Sequence, residues 1–562
     1  MWNFHLFIII FLISAINVTA LRGEDKYWIF FTDKGQNNTL SLSKQRDLQR
    51  NFISSRALER RHRRGTPLAV EPDLPPESSY ISRVKLLGIK IHAVSRWLNA
   101  ISGSGSSDQI SQVAQLPFVE SVEKVKVWRY KKSVESQTAP ETGSGNPELM
   151  QGYGFSDFQI RFHNIHWLHD KGLTGKKVAI AVFDTGFRLD HAALQHLQSQ
   201  IIAEYDFIQM DSITSNQPGD RSDQDDHGTI VLSIIASYLP DTLIGPAYDA
   251  HFLLAKTELE GAELHVEEDN WMMAAEWAER LGADIVSSSL AYSTFDDGEG
   301  DYSYRDMDGQ TTIVTRAAHE LARRGVLVVS SAGNEGNKPW YYITAPADGF
   351  YTLAVGAVNS NNNLSAFSSR GPSYDGRLKP DVVALGENVF GVGAGKLIRP
   401  NRGTSYSCPL VTGISAQILE QFPSTDLLTL LNVLRKSGDQ ADLPDNQKGY
   451  GKVDALRAWE MAQEAVSSRP GNQVSAPLPN PYYQESGIIF FPVDLISPQR
   501  IRLQIYNILG QKIAEVVQDG GEGRNLVTWS IRNSAGIPVA GGIYLYRIKA
   551  GNLHASGKLT LF

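Results

Sequence analysis

The chain has 562 residues, of which 42% are hydrophobic and 20% charged, with a formal net charge of −8 and one cysteine. This length exceeds a single hydrophobic core and predicts about three to four domains. The acidic balance argues against a general nucleic-acid-binding protein, and a single cysteine excludes an intramolecular disulfide.

Residues 1–20 are predicted to be a signal peptide. An apolar run from Phe7 to Ile16 precedes Val18-Thr19-Ala20; the run is too short to span a bilayer and has the length of a signal-peptide core. Because no Lys or Arg precedes the run, an uncleaved anchor or a buried helix is the alternative. No later segment is apolar enough to cross a membrane, so we expect an exported, soluble mature protein.

Residues 21–135 are predicted to form a small α+β domain. Strand and helix patterns follow one another in the order β-α-β-β-α-β, which is typical of a split βαβ unit. The basic run RRHRR, residues 60–64, ends the first predicted helix. We expect this run to be the solvated carboxyl end of the helix, where cations suit the dipole; a processing site or a nucleic-acid patch are the alternatives.

Polar, Ser/Gly/Pro-containing linkers are predicted at 136–152 and 466–477, on either side of a domain at 153–465. Within that domain, amphipathic helices separate nearly continuous apolar strands at 176–183, 249–256, 283–290, 325–332 and 350–358. This alternation predicts an α/β fold with a doubly wound parallel sheet, in which reactive groups gather beyond the carboxyl ends of the strands. Residues 478–562 alternate apolar and polar positions between Gly-rich turns, which predicts an antiparallel β-sandwich.

Four polar residues of the 153–465 domain occupy positions suited to chemistry. Asp184 directly follows a strand, His227 starts a predicted helix, Asn334 follows a strand, and Ser405 precedes a helix expected to begin near Pro409. Each residue alone is more often structural, serving a turn or a helix cap. Together they give the order Asp…His…Ser, one of three chain orders in which unrelated folds assemble acyl-transfer geometry.

The stretches VAIAVFDTGF, DDHGT, VSSAGNEG and GTSYSCP, with FSSRGPSYDGRLKPDVVALG between the last two, resemble the subtilisin-like serine peptidases. The resemblance covers about 153–465. It implies that Ser405 is the nucleophile, that His227 is its general base and that Asp184 orients His227. It also implies an oxyanion hole made by the Ser405 N–H and the Asn334 side-chain amide.

The same resemblance implies further roles around the nucleophile. Ser289, Leu290 and Ala291 would form an edge strand that pairs with the substrate, beside Gly333 and a tight Ala345-Pro346 turn of the kind that can be cis. Ser407 and Cys408 would be packing groups. This chain departs from the family's usual residues at Tyr406, Cys408 and Leu410, which flank the nucleophile without removing a catalytic atom.

No cofactor is required by this chemistry, and a structural calcium ion is compatible with the family. The segment 294–309 is dense in oxygen ligands but matches no EF-hand spacing. Metal ligands therefore stay unassigned.

The flanking regions carry resemblances of their own. SRWLNAIS and LPFVESVEKVKVWR resemble the inhibitory propeptide of such peptidases, which implies inhibition in cis and autoprocessing in the following linker. Pro479-Asn480-Pro481, IYNILGQKI, GGIYLYRI and KLTLF resemble C-terminal sorting domains of the type IX secretion system. That likeness implies a Gram-negative bacterium, the type IX machinery as a partner and passage across the outer membrane; a structural or carbohydrate-contacting sandwich is the alternative.

We therefore expect a secreted or cell-surface serine endopeptidase, made as an inhibited precursor, monomeric, and acting on polypeptides rather than nucleic acids. One alternative is a surface-displayed binding protein on an inactive peptidase scaffold. Another is a peptidase restricted to maturing its own or partner proteins. No residue of the sequence announces a cleavage-site preference.

Overall fold

The computed structural model describes residues 25–35, 42–125, 152–296, 300–467, 471–475, 477 and 489–561. The predicted signal peptide, the predicted linker 136–152 apart from residue 152, and Pro479-Asn480-Pro481 lie outside the described residues. Across the described ranges, no helix combines the length and the apolar character that a membrane span needs.

The N-terminal domain, residues 25–125, is an antiparallel four-stranded sheet with helices. Its elements are β1 (Asp25–Phe31), α1 (Leu42–Asn51), α2 (Ser55–Arg63), α3 (Ser78–Leu86), β2 (Lys90–Ser95), β3 (Ala100–Gly105), α4 (Ser107–Val113) and β4 (Val119–Lys124). The strand order is β2-β3-β1-β4, in agreement with the expected βαββαβ pattern. The long predicted helix is split because the Ser54 side chain accepts a hydrogen bond from the Ala57 N–H at 3.1 Å and caps a new helix.

The central domain, residues 152–467, is built on seven strands in the order β13-β12-β11-β10-β5-β9-β6, and every neighbouring pair is parallel. Its strands are β5 (Ala179–Asp184), β6 (Ile201–Asp206), β7 (Tyr238–Leu239), β8 (Leu243–Ile244), β9 (His251–Lys256), β10 (Ile285–Ser288), β11 (Leu327–Ser331), β12 (Thr352–Val358), β13 (Val382–Leu385), β14 (Glu387–Val392) and β15 (Ile398–Arg402). The short pairs β7-β8 and β14-β15 lie outside the large sheet.

Helices cover both faces of this sheet, as the apolar strands predicted. They are α5 (Asp157–Phe162), α6 (Ile165–Asp170), α7 (Asp226–Ala236), α8 (His265–Leu281), α9 (Ile313–Arg323), α10 (Thr404–Gln421), α11 (Leu427–Lys436) and α12 (Ala455–Ser467). One buried apolar cluster joins α7 and α10 to the sheet, and a second joins α8 and α9 to its other face. The doubly wound α/β prediction is confirmed for this domain.

The C-terminal β domain consists of the described residues of 473–561. Its strands are β16 (Gln473–Val474), β17 (Ile489–Leu495), β18 (Gln499–Asn507), β19 (Lys512–Gly520), β20 (Gly523–Trp529), β21 (Gly542–Ala550) and β22 (Leu553–Leu561). They form two antiparallel sheets, β16-β17-β20 and β19-β18-β21-β22. Ile501, Leu503 and Ile505 alternate into the apolar core between the sheets, as the sequence pattern indicates.

The N-terminal domain packs one face of its sheet on α8. Trp28 and Phe30 of β1 join the apolar cluster that contains Trp271 of α8. Around this contact, Lys26 Nζ lies 2.8 Å from an Asp269 carboxylate oxygen, and Ser95 Oγ donates to Glu276 at 2.7 Å. Apolar burial and charge pairing therefore act together at this interface.

The expectation that RRHRR is a solvated helix end is wrong. Arg60, Arg61 and Arg64 are at most 1% exposed, whereas His62 is exposed. Arg61 pairs with Asp73 and with Glu279 of α8, both at 2.8 Å, and Arg60 pairs with the same Glu279.

Arg64 pairs with Asp284, which directly precedes β10, at 3.0 Å. Burial opposes ionisation of the Glu279 carboxyl, but Arg61 and Arg60 outweigh it and hold the Glu279 pKa below its usual value. The helix-end interpretation failed because two of the three partner carboxylates, Glu279 and Asp284, lie more than 200 residues away in the sequence.

Another buried group of charges, one ammonium and two carboxylates, lies at the carboxyl ends of β6 and β9. Lys256, the last residue of β9, has no exposed side-chain surface, and its Nζ lies 2.8 Å from Asp206 and 2.7 Å from Asp220. Asp206 also accepts hydrogen bonds from the N–H groups of Ile208 and Gln209. The ammonium group thus compensates carboxylates that the fold removes from water.

We expect Lys256→Met to lower the free energy of unfolding by about 3–5 kcal/mol, because it leaves buried carboxylates without a counter-ion. Lys396→Met is the matched control, since Lys396 pairs with Asp190 at 2.8 Å while both side chains are about half exposed; its effect should stay within about 1 kcal/mol. Urea unfolding of the full chain measures both variants. Equal losses would contradict the burial argument.

Candidate active site

Asp184 is the last residue of β5, which lies between β10 and β9 in the sheet. Its carboxylate is fully buried. Oδ1 accepts hydrogen bonds from His227 Nδ1 at 2.6 Å and from the Thr185 N–H at 2.8 Å, while Oδ2 has no hydrogen-bond partner among the described residues. The structure therefore brings the predicted carboxylate and imidazole together.

His227 is the second residue of α7, as the sequence predicted for a helix start. The next residue, Gly228, lets the helix approach Asp184: a Cβ at position 228 would lie 2.2 Å from the Gly186 carbonyl oxygen and 3.0 Å from the Asp184 Cβ. The His-Gly pair is thus a steric requirement of this contact.

The charge environment of His227 favours its protonated form. Burial alone would lower the pKa of the imidazole, but the Asp184 carboxylate outweighs burial, so the pKa lies above its ordinary value of 6.5. About a quarter of the ring remains exposed (24%). A part-exposed imidazole fixed through Nδ1 leaves Nε2 for proton exchange.

Ser405 is the second residue of α10, which begins at Thr404 rather than near Pro409 as the sequence suggested. Pro409 lies inside the helix and lacks the N–H that would bond to the Ser405 carbonyl oxygen. That oxygen instead accepts a hydrogen bond from Ser289 Oγ at 2.8 Å. The helix therefore tolerates an early proline, and the Ser405 N–H lies at the positive end of the helix dipole.

The Ser405 hydroxyl donates to the Ser289 carbonyl oxygen at 3.2 Å. Within the part of the chain that the structure describes, no hydrogen bond joins Ser405 Oγ to His227. Catalytic hydrogen bonds are often absent or long before substrate binds. Rotation about the Ser405 Cα–Cβ bond moves the hydroxyl among its staggered positions.

The orientation of the Asn334 side chain is fixed by Thr404. Its Oδ1 accepts from the Thr404 N–H at 2.9 Å and from Thr404 Oγ1 at 3.0 Å. Because both donors engage Oδ1, the Nδ2 group lies on the other side, 3.6 Å from where a Cβ of Gly403 would stand. An N–H donor therefore lies next to the turn that presents Ser405. The sequence did not reveal the part that Thr404 plays in this orientation.

The predicted substrate segment Ser289–Leu290–Ala291 continues beyond β10, which ends at Ser288. These residues are not part of a strand in the structure, unlike the predicted edge strand. The next strand pairing along the chain is a single bridge between Tyr292 and Ala345. The Ala345-Pro346 peptide bond is cis.

Gly333 has a φ of +102°, and a Cβ there would lie 2.8 Å from Ser369 Oγ. This position therefore requires glycine.

The residues after Ser405 divide as expected between packing and the site. Ser407, Cys408 and Leu410 are fully buried, and burial raises the pKa of the Cys408 thiol to about 12, which leaves it a poor nucleophile. Tyr406 instead faces the site, with its ring centre 5.7 Å from that of His227.

Sequence reasoning missed the polar side chain of Gln224, which lies next to Asp184 and His227 in the chain's fold. Gln224 Nε2 donates to the carbonyl oxygens of Thr185 at 2.7 Å and Glu258 at 2.6 Å, while its Oε1 accepts from the Glu260 N–H at 3.0 Å. Gln224 lies three residues before His227, and this short spacing is the one feature of the sequence that could have indicated its role. Burial raises the pKa of Glu258 to about 8, and its carboxyl accepts from Tyr292 Oη at 2.6 Å.

The segment 294–309 shows local turn contacts in the residues described. Asp301 accepts from the Phe295 N–H at 2.9 Å, and Asp306 accepts from the Ser303 N–H at 2.7 Å. The described residues contain no group of three or more His, Cys, Asp or Glu side chains arranged to hold a metal ion. Calcium binding stays a prediction, and no chemistry described below depends on it.

Two sequence profiles of known protein families match parts of this chain. The sequence profile of the subtilase family matches residues 175–451, which contain all the predicted site residues. A second profile, the peptidase S8 propeptide domain of Bacteroidota, matches residues 26–141.

Individual relatives match the same part of the chain. Subtilisin BL of Lederbergia lenta is 29% identical over 293 residues, which are 52% of this chain and 93% of that protein. Subtilisin-like protease SBT6.1 of Arabidopsis thaliana is 28% identical over 309 residues, and membrane-bound transcription factor site-1 protease of Homo sapiens is 27% identical over 308. Each of these two matches covers 52% of this chain but only 27% and 26% of the relative, so the chain spans about a quarter of their length. Residues 175–451 therefore match the subtilase family of peptidase family S8, and the residues before them match an S8 propeptide domain of the Bacteroidota type.

Proposed function

We propose that the protein is a serine endopeptidase that hydrolyses polypeptides and is made as a precursor inhibited by its N-terminal domain. The observation that carries the proposal is the hydrogen bond of 2.6 Å between Asp184 and His227, at the same sheet edge as Ser405 and the oriented Asn334 amide. A binding protein on an inactive scaffold would not need all four groups.

In the proposed reaction, Ser405 Oγ attacks the carbonyl carbon of the scissile peptide and its proton passes to His227 Nε2. The carboxylate of Asp184 stabilises the imidazolium that results. The Ser405 N–H and Asn334 Nδ2 hold the oxyanion of the tetrahedral intermediate. His227 then protonates the leaving amine, and water, deprotonated by the same imidazole, hydrolyses the acyl-enzyme.

We further propose that Ser289, Leu290, Ala291 and Gly333 line the substrate path. The Leu290 carbonyl oxygen accepts a hydrogen bond from Ser331 Oγ at 3.1 Å, and Ser289 Oγ donates a hydrogen bond to the Ser405 carbonyl oxygen. A substrate chain laid beside this segment would form the strand pairing that the segment itself lacks.

Secretion belongs to the same proposal. The predicted signal peptide supports export. The motifs GGIYLYRI and KLTLF, whose residues 542–548 and 558–561 belong to β21 and β22, support sorting of the C-terminal β domain by the type IX system. We expect a secreted or cell-surface monomer. Intact-mass analysis of the protein recovered from culture medium would locate both processing junctions.

Ser405→Ala should abolish labelling by a fluorophosphonate and lower turnover about 10⁶-fold, because the nucleophile is lost. Ser407→Ala is the matched control, since Ser407 is buried and bonds to the Ala384 carbonyl; it should keep its label. Mass spectrometry locates the label, and casein digestion measures turnover. A folded protein that is never labelled at Ser405 would exclude this enzyme.

Asn334→Ala should lower kcat about 10²–10³-fold with little change in KM, which is the loss known for the corresponding donor of subtilisin. Asn334→Asp separates catalysis from packing, because it keeps the oxygen that accepts from Thr404 but removes the N–H donor. Both variants should have a lower kcat than the wild type, while the melting temperature of Asn334→Asp should lie closer to the wild-type value than that of Asn334→Ala. Full activity in Asn334→Asp would remove this amide from the mechanism.

The rate should depend on pH through His227, because only the neutral imidazole accepts a proton. Since the folded pKa lies above 6.5, kcat/KM should fall as pH is lowered through a midpoint above that value. Asp184→Asn should lower the rate about 10⁴-fold and shift the midpoint to lower pH, because burial then acts without the carboxylate.

Asp223→Asn is the control for this profile, because Asp223 is exposed and pairs with Arg221. Its midpoint should stay at the wild-type position. A midpoint that is identical in wild type and Asp184→Asn would assign the profile to another group.

A further inference from the structure

We infer that the C-terminal β domain is a second binding partner of the N-terminal domain and retains it on the central domain. The contact lies in residues 60–66, here called the arginine segment. The inference rests on the propeptide assignment of residues 26–141 but does not require catalytic activity.

The arginine segment is first fixed to the central domain. Arg60 donates to the Ala283 carbonyl at 2.6 Å, and Arg64 pairs with Asp284 at 3.0 Å. The backbone then turns at Gly65, and the Thr66 hydroxyl approaches the Arg324 carbonyl at 3.4 Å. Arg64, Gly65 and Thr66 are all buried.

The other side of the same turn contacts the C-terminal β domain. The Gly65 carbonyl oxygen accepts hydrogen bonds from the Leu526 N–H of β20 and from Gln518 Nε2 of β19, both at 3.0 Å. There is no space for a side chain: a Cβ on Gly65 would lie 2.2 Å from the Arg524 carbonyl oxygen and 2.6 Å from the Asn525 Cα. With a φ of +66°, the position requires glycine on two grounds.

The C-terminal β domain is itself anchored on the central domain. Phe490 and Leu526 belong to the central domain's buried apolar cluster, and the Phe490 ring meets Tyr351 edge-on at 4.8 Å. Arg524 adds a hydrogen bond to Thr429 Oγ1 at 3.2 Å. The arginine segment is therefore held between two domains that also hold each other.

The contact between the N-terminal and C-terminal domains is local. A cleft of about 1540 Å³, lined among others by His62, Leu68 and Val517, opens beside the Gly65 turn. Because the cleft separates the two domains there, few residues make the contact, and a substitution at one of them can weaken it. A side chain introduced at position 65 is therefore expected to weaken the contact between the N-terminal and C-terminal domains.

The consequence concerns what happens after the chain is cut between the N-terminal and central domains. To dissociate, the N-terminal domain must then break its non-covalent contacts with the rest of the protein. These contacts include the ion pairs with α8 and the hydrogen bonds of Gly65 with β19 and β20. The C-terminal β domain therefore slows the departure of the propeptide, and its removal or displacement speeds that step.

The test uses the full chain carrying Ser405→Ala, with a recognition sequence for a site-specific protease placed within 136–145. After cutting, size-exclusion chromatography over time gives the rate at which the N-terminal fragment dissociates. Gly65→Ala should raise this rate about tenfold or more, equivalent to the loss of one or two hydrogen bonds. Gly88→Ala is the matched control, because Gly88 also has a positive φ (+88°) in the same domain but faces only Gln109; its rate should stay within about threefold.

Gln518→Ala tests the contact without altering the N-terminal domain, and we expect it to raise the dissociation rate about three- to tenfold. Gln504→Ala is the matched control, because Gln504 of β18 accepts a hydrogen bond from Tyr506 Oη within the C-terminal β domain; its rate should stay unchanged. Equal dissociation rates for Gly65→Ala and Gly88→Ala, or for Gln518→Ala and Gln504→Ala, would overturn the inference. Because every form lacks the Ser405 hydroxyl, failure of the proposed peptidase activity leaves this measurement unaffected.

Discussion

Parallel hydrogen bonding between β5 and β10 pairs Val182 with Ser287 and Phe183 with Ser288. The residues that follow, Asp184 and Ser289, therefore leave the sheet side by side. Asp184 binds His227 of α7, and Ser289 exchanges two hydrogen bonds with Ser405 of α10. The register of two neighbouring strands thus sets the relative positions of two helices and of the reactive groups at their amino ends.

The buried guanidinium groups of the N-terminal domain impose a comparable constraint on domain docking. A buried ion pair is weak support for stability, because desolvation offsets much of the attraction. Its effect here is geometric: Arg60, Arg61 and Arg64 must each reach a particular carboxylate, or a charge is left unpaired inside the protein. The N-terminal domain therefore has one favourable position on α8.

The features that could be predicted from the sequence are those with local causes. Continuous apolar runs marked five strands of the central sheet, and strand ends marked Asp184 and Asn334, because a fully buried strand must end where polar residues begin. The strands β6 and β13 were not predicted, since β6 alternates half-buried and exposed residues up to the buried Asp206, and β13 has only four residues.

Features with distant causes could not be predicted. The burial of Arg61 depends on Glu279, and the start of α10 before Pro409 depends on the hydroxyl of Ser289. The alternation of Ile501, Leu503 and Ile505 was visible, but nothing in it indicated that β20 would meet the Gly65 turn. Tertiary partners of this kind leave no periodic trace in the chain.

The proline inside α10 has a mechanical consequence. Because residue 409 supplies no N–H, the backbone of Ser405 is tied to Ser289 rather than to its own helix. If a polypeptide substrate displaced segment 289–291, as in the proposed function, the displacement would reach the main chain of Ser405 through this hydrogen bond. In the proposed peptidase, substrate binding and nucleophilic attack would be coupled through the contact between Ser289 and Ser405.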